Sequence, residues 1–405
     1  MEIASTYRSE MEQELEAILA YWLEHAVDRQ GAGFVGRIDE ENRIYTGDPK
    51  GSVLNSRILW TFSAAYTHTK RPQYLEAARR AFDYLINYFT DKQYGGVYWT
   101  VDADGKPLDD KKQIYALAFA VYGLSEYYRA THEPAALEAA LRLHRDIVEH
   151  SYDPVHGGYI EALARDWQPL GDLRLSAKDA NEPKSMNTHL HVLEAFANLY
   201  SVAPTAELRG QLDDLLRIFL DHIIDKESGH LVLFFDDAWQ RRSGLMSYGH
   251  DVEAAWLLEE AAKLLDDEAL LQEVKDASLR LATAAARGLD DDGGLWYEYD
   301  PAHDHLIRQK HSWPQAEAMV GFLNAALLGG GDQWMECSWR SWQFVKQHIR
   351  DKKGGEWYWG VEADGGPMKG QDKVGIWKCP YHNTRACLEV IRRLEITNGE
   401  AVKIK

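Results

Sequence analysis

A short stretch of glycine followed by aromatic and branched residues recurs six times along the 405 residues. Its copies are QGAGFVGRID, YGGVYWTVD, HGGYIEAL, SGHLVLFFD, DGGLWYEYD and KGGEWYWGVE. One glycine taken from each copy gives successive steps of 63, 62, 71, 65 and 61 residues. These glycines are Gly33, Gly96, Gly158, Gly229, Gly294 and Gly355. A near-constant period is typical of a repeat protein, so we expect residues 1–405 to form one domain rather than two or three.

Between the glycine stretches, apolar residues recur at the three- and four-residue spacing of a helix with one buried face. The glycine stretches themselves predict short β-ribbons after tight turns, since aromatic and branched residues favour strands. An apolar stripe of this kind is formed by Tyr74, Ala77, Ala78, Ala81, Phe82 and Leu85. The pattern predicts twelve helices, at about residues 8–26, 55–69, 73–90, 111–130, 135–150, 184–201, 206–224, 249–265, 268–288, 312–328, 332–350 and 379–394.

Six helix pairs that close on themselves predict an all-α toroid, an (α/α)6 barrel with short β-ribbon loops at its mouth. The second helix of each pair follows a ribbon and is richer in alanine and apolar residues, as in ILWTFSAAY and YALAFAVYGL. We therefore assign these helices to the inner ring. The alternative is an open solenoid of helix pairs, but six units with long aromatic ribbons favour closure around a pocket.

Composition narrows the class of protein. With 45 Lys and Arg against 64 Asp and Glu, the net charge of −19 argues against nucleic acid as a partner. No apolar stretch approaches the roughly 18 residues of a membrane span, and the acidic amino terminus lacks the apolar core of a secretory signal. Three cysteines cannot form a disulfide framework and favour a reducing compartment. We expect a cytoplasmic protein, either a monomer or a homodimer.

Residues suited to sugar chemistry cluster at the start of the predicted inner helices. In a toroid these helix amino ends meet at one mouth, where their partial positive charges favour a developing anion. The sequence therefore predicts one cavity to which all six inner helices contribute. The candidate residues are Arg57, Tyr115, Asn187, His191, His250, Glu253, Trp313, Glu317 and His382.

Each candidate also has a purely structural interpretation. His250 and Glu253 lie three residues apart on one helical face, which indicates that Glu253 or a neighbour orients a histidine; alternatively, His250 and His382 serve only in packing or capping. Arg57 lies in an apolar helix and needs a ligand or an ion pair. The alternative for Glu317 is an exposed helical carboxylate.

The tryptophans and histidines near the mouth suggest a sugar ligand rather than a metal. Trp313 and Trp377 each lie beside a candidate histidine or carboxylate, and indole faces suit the apolar faces of sugar rings. His189 and His191 form an H-x-H pair, but residues two apart on a helix point in different directions, so His189 is expected to pack or to border the pocket. The sequence contains no CxxC, HExxH, Rossmann or phosphate-loop motif. We expect no metal and no cofactor.

Five longer segments add a family resemblance. LNSRILWTFSAAY, NTHLHVLEAFANLY, SYGHDVEAAWLLEEAA, WPQAEAMVGF and WKCPYHNTRACLEVI resemble the hallmark blocks of cellobiose 2-epimerases, which belong to the N-acylglucosamine 2-epimerase superfamily. The resemblance extends from the first glycine ribbon to about residue 394, and the blocks occur in the family's order and spacing. The resemblance implies an (α/α)6 barrel without metal or redox cofactor, acting on the reducing-end sugar of β-1,4 disaccharides.

The resemblance also implies roles for individual residues. His250, in SYGHD, and His382, in CPYHN, correspond to two acid/base histidines, and His191 contacts the reacting end of the sugar. The remaining implied contacts are Arg57, Tyr115 and Asn187, the stacking residues Trp313 and Trp377, and the carboxylates Glu253 and Glu317. One position departs from the family pattern: Ser312 occupies the first place of a Trp-Trp pair, which loosens the implied contact with a distal sugar.

Histidines suit this chemistry on general grounds. The C2 proton of a sugar is acidic only when C1 is a carbonyl, so the ring opens first, and a base then leaves an enediol or enediolate. Inversion requires groups that titrate near neutrality on both faces, as imidazoles do. We expect His250 and His382 to flank C2 while His191 and Arg57 stabilise charge on the oxygens. The alternatives are a mannose 2-epimerase or aldose-ketose isomerase, a glycoside hydrolase and a non-catalytic sugar-binding toroid.

Overall fold

The structure is a computed structural model that describes residues 2–397. Twelve α-helices lie within that range, and five of them, α1, α3, α7, α10 and α11, continue for five residues as a π-helical turn. The helices are α1 (Glu2–Tyr21), α2 (Ser52–Thr69), α3 (Pro72–Tyr84), α4 (Ile114–Thr131), α5 (Pro134–Ser151), α6 (Met186–Val202), α7 (Ala206–Ile218), α8 (Tyr248–Lys263), α9 (Glu268–Ala286), α10 (Ser312–Ala325), α11 (Gln333–Phe344) and α12 (Tyr381–Thr397).

The even-numbered helices form a closed inner ring. Each contacts the next around the circle, from α2 through α4, α6, α8 and α10 to α12, and α12 contacts α2 again. Each odd-numbered helix packs outside an even-numbered one, with α1 lying against α12. The predicted (α/α)6 barrel is confirmed, and the contact between the last and second helices excludes the open solenoid.

Burial explains why the helices separate into two rings. Residues 52–65 of α2 and 114–127 of α4 are buried without interruption, as expected of helices that are enclosed on all sides. The outer helix α3 buries one stripe, formed by Tyr74, Ala77, Ala78, Ala81 and Phe82 with Tyr84, and Leu85 follows in the adjoining turn. Both predicted patterns are confirmed. No helix in residues 2–397 is long and apolar enough to cross a membrane.

Within the described range, twelve short strands join the repeats at one end of the barrel. In five repeats, the strand that leads into an inner helix pairs antiparallel with the strand that leaves the next glycine turn, and the bridge between Ile38 and Val374 makes the sixth connection. Two further pairings, β2–β3 and β9–β10, extend this pattern. The strands are β1 (Lys50–Gly51), β2 (Thr100–Val101), β3 (Pro107–Asp109), β4 (Lys112–Gln113), β5 (Ala162–Leu163), β6 (Lys184–Ser185), β7 (Phe234–Phe235), β8 (Met246–Ser247), β9 (Glu298–Asp300), β10 (His305–Ile307), β11 (Lys310–His311) and β12 (Gly360–Val361).

Strand pairing accounts for two of the differences from the predicted helix bounds. The residues before α4 and α6 pair as β4 and β6, so the two helices begin at Ile114 and Met186 rather than at residues 111 and 184. The first helix begins at Glu2 instead of residue 8, and the last begins at Tyr381 instead of residue 379.

Buried lysine–aspartate pairs fix the glycine turns to the strands that lead into the inner helices. The aspartate follows an outer helix, and the lysine precedes the next inner helix. Five repeats contain such a pair, with N–O distances of 2.6–2.9 Å: Lys50–Asp28, Lys112–Asp91, Lys184–Asp153, Lys310–Asp290 and Lys373–Asp351. In the remaining repeat, Met246 replaces the lysine and Asp225 pairs with Arg241. Each pair therefore joins a glycine turn to the segment that precedes an inner helix.

Candidate active site

A cavity of about 590 Å³ opens at the end of the barrel where the inner helices begin. All six inner helices contribute to its wall through their first two turns, as the sequence predicts. Nine of the ten candidate residues line it: Arg57, Tyr115, Asn187, His191, His250, Glu253, Trp313, Trp377 and His382. Glu317 is the exception, because it lies behind His382 rather than at the cavity surface.

His382 is held by the carboxylate behind it. Its Nδ1 atom lies 2.7 Å from Oε1 of Glu317, which is only 1% exposed, so the surface-carboxylate interpretation of Glu317 is wrong. Because a carboxylate accepts, Nδ1 carries the proton and Nε2 is left with a free lone pair. Burial lowers the pKa of His382 to about 3, against the opposing effect of Glu317. The ring is therefore a neutral base at neutral pH.

His250 faces the same cavity from α8. Its Nδ1 atom lies 2.7 Å from Oγ of Ser247, and burial, with the neighbouring imidazoles His191 and His382, lowers its pKa to about 3. The ring of Trp313 lies 4.7 Å from that of His250 and 5.8 Å from that of His382. One indole thus contacts both candidate acid/base groups.

Of the two possibilities that the spacing left open, Glu253 or a neighbour, Glu253 itself bonds no histidine of residues 2–397. Its Oε1 atom lies 2.7 Å from Nη2 of Arg385, and the residue that bonds His250 is Ser247. Burial and the adjacent Glu317 carboxylate raise the pKa of Glu253 to about 8. Glu253 is therefore a neutral carboxylic acid at the cavity surface, able to donate a hydrogen bond.

His191 and His189 have different surroundings, as their spacing predicts. Nδ1 of His191 lies 2.8 Å from Oε2 of Glu194, and its ring meets that of Tyr115 edge-on at 5.0 Å. His189 is fully buried outside the cavity, where Nδ1 lies 2.7 Å from the carbonyl of Ser185 and Nε2 accepts the N–H of Tyr159 at 2.9 Å. Only His191 is available to a ligand, and the packing interpretation of His189 is confirmed.

Arg57 is a buried cation, 3% exposed, on the inner helix α2. Within residues 2–397 no carboxylate lies within 4.0 Å of its guanidinium, so the ion-pair interpretation is wrong. Nη2 donates to the hydroxyl of Tyr115 at 2.7 Å, and Cζ lies 4.1 Å from the centre of the Phe119 ring. Its Nε finds no hydrogen-bond partner in the described structure. A buried charge in this state favours an electron-rich ligand.

Aromatic rings form much of the remaining wall. Trp377 lies 5.5 Å from Trp99 and 6.1 Å from Tyr115, measured between ring centres. On the other side, His311 stacks on Tyr297 at 3.9 Å. Oδ1 of the cavity-lining Asn187 is buried and has no partner in residues 2–397. Apolar faces with a few unpaired polar atoms are the composition expected of a sugar site.

Comparison with known proteins assigns the family. The family model described as N-acylglucosamine 2-epimerase (GlcNAc 2-epimerase) matches residues 33–386. The chain belongs to this epimerase family. It is therefore a carbohydrate epimerase, and as an enzyme an isomerase. The resemblance deduced from the five sequence blocks is confirmed.

Similar proteins include cellobiose 2-epimerases. The chain is 48% identical to the cellobiose 2-epimerase of Bacteroides fragilis over 385 residues, covering 95% of this chain and 98% of that one. The solved structure of cellobiose 2-epimerase from Bacillus thermoamylovorans B4167 is 38% identical and superimposes with a TM-score of 0.91, covering 96% of this chain and 100% of the other. A D-mannose isomerase, 22% identical with a TM-score of 0.83 over 95% of this chain and 97% of its own, shows the shared fold.

Four polar residues of the epimerase site were missed by the sequence reasoning: Ser247, Glu194, Tyr381 and Arg385. Glu194 follows His191 by three residues, and Arg385 follows His382 by three, the same spacing that drew attention to His250 and Glu253. Arg385 is also a charge in a buried helix face, which was the reason for selecting Arg57. Both signals were present in the sequence.

Within residues 2–397, one group of side chains has the composition of a metal site. Glu253, Glu317 and His382 each offer a ligand atom within 4.8 Å of the others. Nη2 of Arg385, however, lies 2.7 Å from Oε1 of both carboxylates. A guanidinium therefore occupies the position that a cation would take, which favours an ion-pair network over a metal centre. The expected absence of a metal stays a prediction.

Proposed function

We propose that this epimerase inverts C2 of the reducing-end glucose of β-1,4-linked disaccharides, converting cellobiose to glucosyl-mannose and lactose to epilactose. The observation that carries the proposal is the arrangement of His250 and His382. These two neutral imidazoles, from α8 and α12, contact one indole and line one cavity. The names of the similar proteins support cellobiose as the substrate.

The reaction begins with ring opening, because only the open form has a C1 carbonyl that makes the C2 proton acidic. One histidine removes that proton through Nε2 and leaves a cis-enediol or enediolate. The other histidine, after taking a proton from solvent at the cavity mouth, delivers it to the opposite face of C2, and the first histidine releases its proton to solvent. Ring closure completes the epimer. The roles of His250 and His382 exchange when the reaction runs backwards. Lowered pKa values suit this work, since a base must be unprotonated at the operating pH.

Charge on the C1 and C2 oxygens requires donors inside the cavity. Arg57 supplies a guanidinium that no carboxylate of residues 2–397 neutralises, and His191, also in the cavity wall, accepts a hydrogen bond from a sugar hydroxyl through Nε2. Interactions with a developing oxyanion are strongest in a site shielded from water. Asn187 and Tyr115 line the cavity beside them, and Glu253 in its neutral form donates to a sugar hydroxyl.

Sugar binding relies on the aromatic walls. Trp313 and Trp377 offer flat faces to the pyranose rings, and the volume of about 590 Å³ falls in the range of pockets that enclose whole small molecules. Glu317 acts on the sugar only through His382, whose ring it orients.

Single replacement of each histidine tests the two-base scheme. We expect His250→Asn and His382→Asn each to lose nearly all epimerisation of cellobiose and nearly all deuterium uptake at C2 in deuterated water, both measured by NMR. His144→Asn is the matched control, because His144 is buried on the outer helix α5 and bonds Gln211 at 2.7 Å. Near-full deuterium uptake in either cavity variant would show that the scheme is wrong.

The second candidate is a mannose 2-epimerase or an aldose-ketose isomerase that acts on monosaccharides. Ser312 favours it, because a small polar residue lines the cavity where the family pattern has an aromatic one. Protonation of the enediol at C1 instead of C2 would give a ketose. Product analysis on cellobiose, lactose, glucose and mannose separates the two.

The hydrolase and the non-catalytic alternatives fit the cavity less well. A glycoside hydrolase needs two carboxylates on either side of a glycosidic bond, whereas Glu253 and Glu317 both bond the same Arg385 nitrogen. Release of glucose from cellobiose would support a hydrolase, and binding without turnover would support a sugar-binding toroid.

A further inference from the structure

Arg385 connects four helices of the inner ring. It lies on α12, is 1% exposed, and bonds three carboxylates that come from three other inner helices. Nη2 lies 2.7 Å from Oε1 of Glu253 on α8 and 2.7 Å from Oε1 of Glu317 on α10. Nη1 donates to Glu194 on α6 and to the hydroxyl of Tyr381.

Two of these carboxylates are the ones that orient cavity histidines. Glu194 accepts from Nδ1 of His191 at 2.8 Å, and Glu317 accepts from Nδ1 of His382 at 2.7 Å. Arg385 itself is not part of the cavity wall. One guanidinium therefore lies one residue behind two rings that come from different helices.

We propose that Arg385 is a positioning residue that keeps both Glu194 and Glu317 ionised, so that His191 and His382 each carry their proton on Nδ1 and present an unprotonated Nε2 to the sugar. The proposal rests on the proposed function, because it assigns Arg385 to the support of the same imidazoles. It predicts that one substitution on α12 changes the tautomers of two histidines that lie 191 positions apart in the chain.

Electrostatics supports this assignment. Burial opposes ionisation, yet Arg385 and the histidine partners lower the pKa of Glu194 and that of Glu317 to about 2. The third carboxylate, Glu253, takes the proton, since burial and its neighbour Glu317 raise its pKa to about 8. The Arg385 cation thus stabilises the ionised form of two of the three carboxylates, those of Glu194 and Glu317.

The groups around Arg385 come from α4, α6, α8, α10 and α12. Besides its three carboxylates and Tyr381, the ring of Trp256 lies 4.8 Å from the guanidinium carbon. Trp256 also donates through Nε1 to Oε2 of Glu317 at 3.0 Å, which leaves Oε1 to His382 and Arg385. Tyr122 is a further titratable group near this network. Burial and the charge of Glu194 raise its pKa, and the charge of Arg385 opposes this increase.

Removal of the guanidinium has a defined consequence for the histidines. The charge of Arg385 contributes to lowering the pKa of both His191 and His382. When the charge is absent, each histidine–glutamate pair holds a proton more tightly, so the imidazole becomes protonated at a higher pH. The acidic limb of the kcat/KM profile, which reports the essential base of the free enzyme, should therefore move to higher pH.

The test uses the full chain with Arg385→Met, which removes the charge, and Arg385→Lys, which keeps it without the forked geometry. Histidine side-chain nitrogens are observed by ¹⁵N NMR, with His191→Gln and His382→Gln spectra used for assignment. In the unchanged protein we expect both residues as the Nδ1–H tautomer. In Arg385→Met we expect both histidines to lose the Nδ1–H tautomer. We expect kcat on cellobiose to fall about 10- to 100-fold, as when a group that orients a liganding imidazole is removed. The acidic limb of the kcat/KM profile should move to higher pH.

Arg393→Met is the matched control. Arg393 is an equally buried arginine on the same helix, and it bonds Glu389 and Glu260. Its loss should lower stability without altering either tautomer or the acidic limb. Arg385→Lys should restore part of kcat and leave the limb close to that of the unchanged protein, which also covers the case in which Arg385→Met does not fold.

Unchanged tautomers of both histidines in a folded Arg385 variant would overturn the proposal, as would equal shifts of the acidic limb in Arg385→Met and Arg393→Met. The tautomers are measured without substrate. An unchanged protein that fails to epimerise any disaccharide would therefore contradict the proposed function while leaving the tautomer result to decide the role of Arg385.

Discussion

Replacement of Glu317 by glutamine tests whether His382 depends on a carboxylate. Oε1 of Glu317 lies 2.7 Å from both Nδ1 of His382 and Nη2 of Arg385, in a site where neither Glu317 nor Arg385 is more than 1% exposed. Glutamine keeps the shape but carries an NH2 group. If that group donates to Nδ1, the proton of His382 moves to Nε2, where the base must be unprotonated.

The magnitude follows from the bonds that are lost. Each hydrogen bond to a charged group contributes about 1.5–3 kcal/mol, and every 1.36 kcal/mol of transition-state stabilisation is about tenfold in rate. If the bond to His382 is the lost bond that stabilises the transition state, kcat falls about 10- to 150-fold. The lost bond to Arg385 lowers the free energy of unfolding by a further ~1.5–3 kcal/mol.

The assay follows cellobiose in deuterated water by NMR and yields kcat, KM and the rate of deuterium entry at C2. Glu259→Gln is the control, because Glu259 is a buried glutamate on α8 whose partner is Lys263 at 2.7 Å. We expect the control to keep its kcat and Glu317→Gln to lose kcat with little change in KM. A kcat for Glu317→Gln within threefold of the unchanged enzyme would refute the orienting role.

Three further results are expected. Ser312→Trp should lower the ratio of KM for cellobiose to KM for mannose by up to about tenfold, because an added aromatic face contributes about 0.5–1.5 kcal/mol. The same ratio in the variant and the unchanged enzyme would contradict this. Treatment with a chelator should leave epimerisation unchanged, since Arg385 lies between the carboxylates that a metal would use, and activity restored only by added metal would contradict it. Burial lowers the pKa of His311 to about 3 from its ordinary 6.5, so the unfolded chain binds more protons between these values and His311 lowers stability as the pH falls. His311→Phe should therefore gain stability relative to the unchanged enzyme as the pH falls from 6.5 to 4, measured by urea unfolding. A difference in the free energy of unfolding that stays constant over this pH range would show the reasoning to be wrong.

Much of the fold could be read from the period of the glycine stretches. Each stretch ends an outer helix, turns, and leads towards an inner helix, so a constant spacing indicates a constant structural unit. Gly158 shows why glycine recurs. Its φ is +81°, and a Cβ atom at this position would lie only 2.7 Å from Nε2 of His189, so there is no room for a side chain. The starts of α4 and α6 differ from the predicted ones by three and two residues, because the preceding residues pair with a strand of the next repeat. Such a pairing cannot be read from one repeat alone.

The candidate site was predictable where a residue's position within its own helix was sufficient. Arg57, His191, His250 and His382 lie in the early turns of different inner helices, and closure of the ring brings them to one cavity. The partner of His382 was not predictable from position alone, because Glu317 lies 65 positions away on another helix. The spacing of His250 and Glu253 suggested a pair, yet Ser247 and Arg385 are their actual partners.

The sequence by itself determined the six-fold repeat, the two classes of helix and the residues that begin the inner ring, because periodicity records which residues share one face of a helix. Only the tertiary structure decided how the charges combine. Arg385 meets Glu317 across 68 positions and Glu194 across 191. Such contacts arise when helices from different repeats face one axis, and the low dielectric there decides which of the three acids keeps its proton.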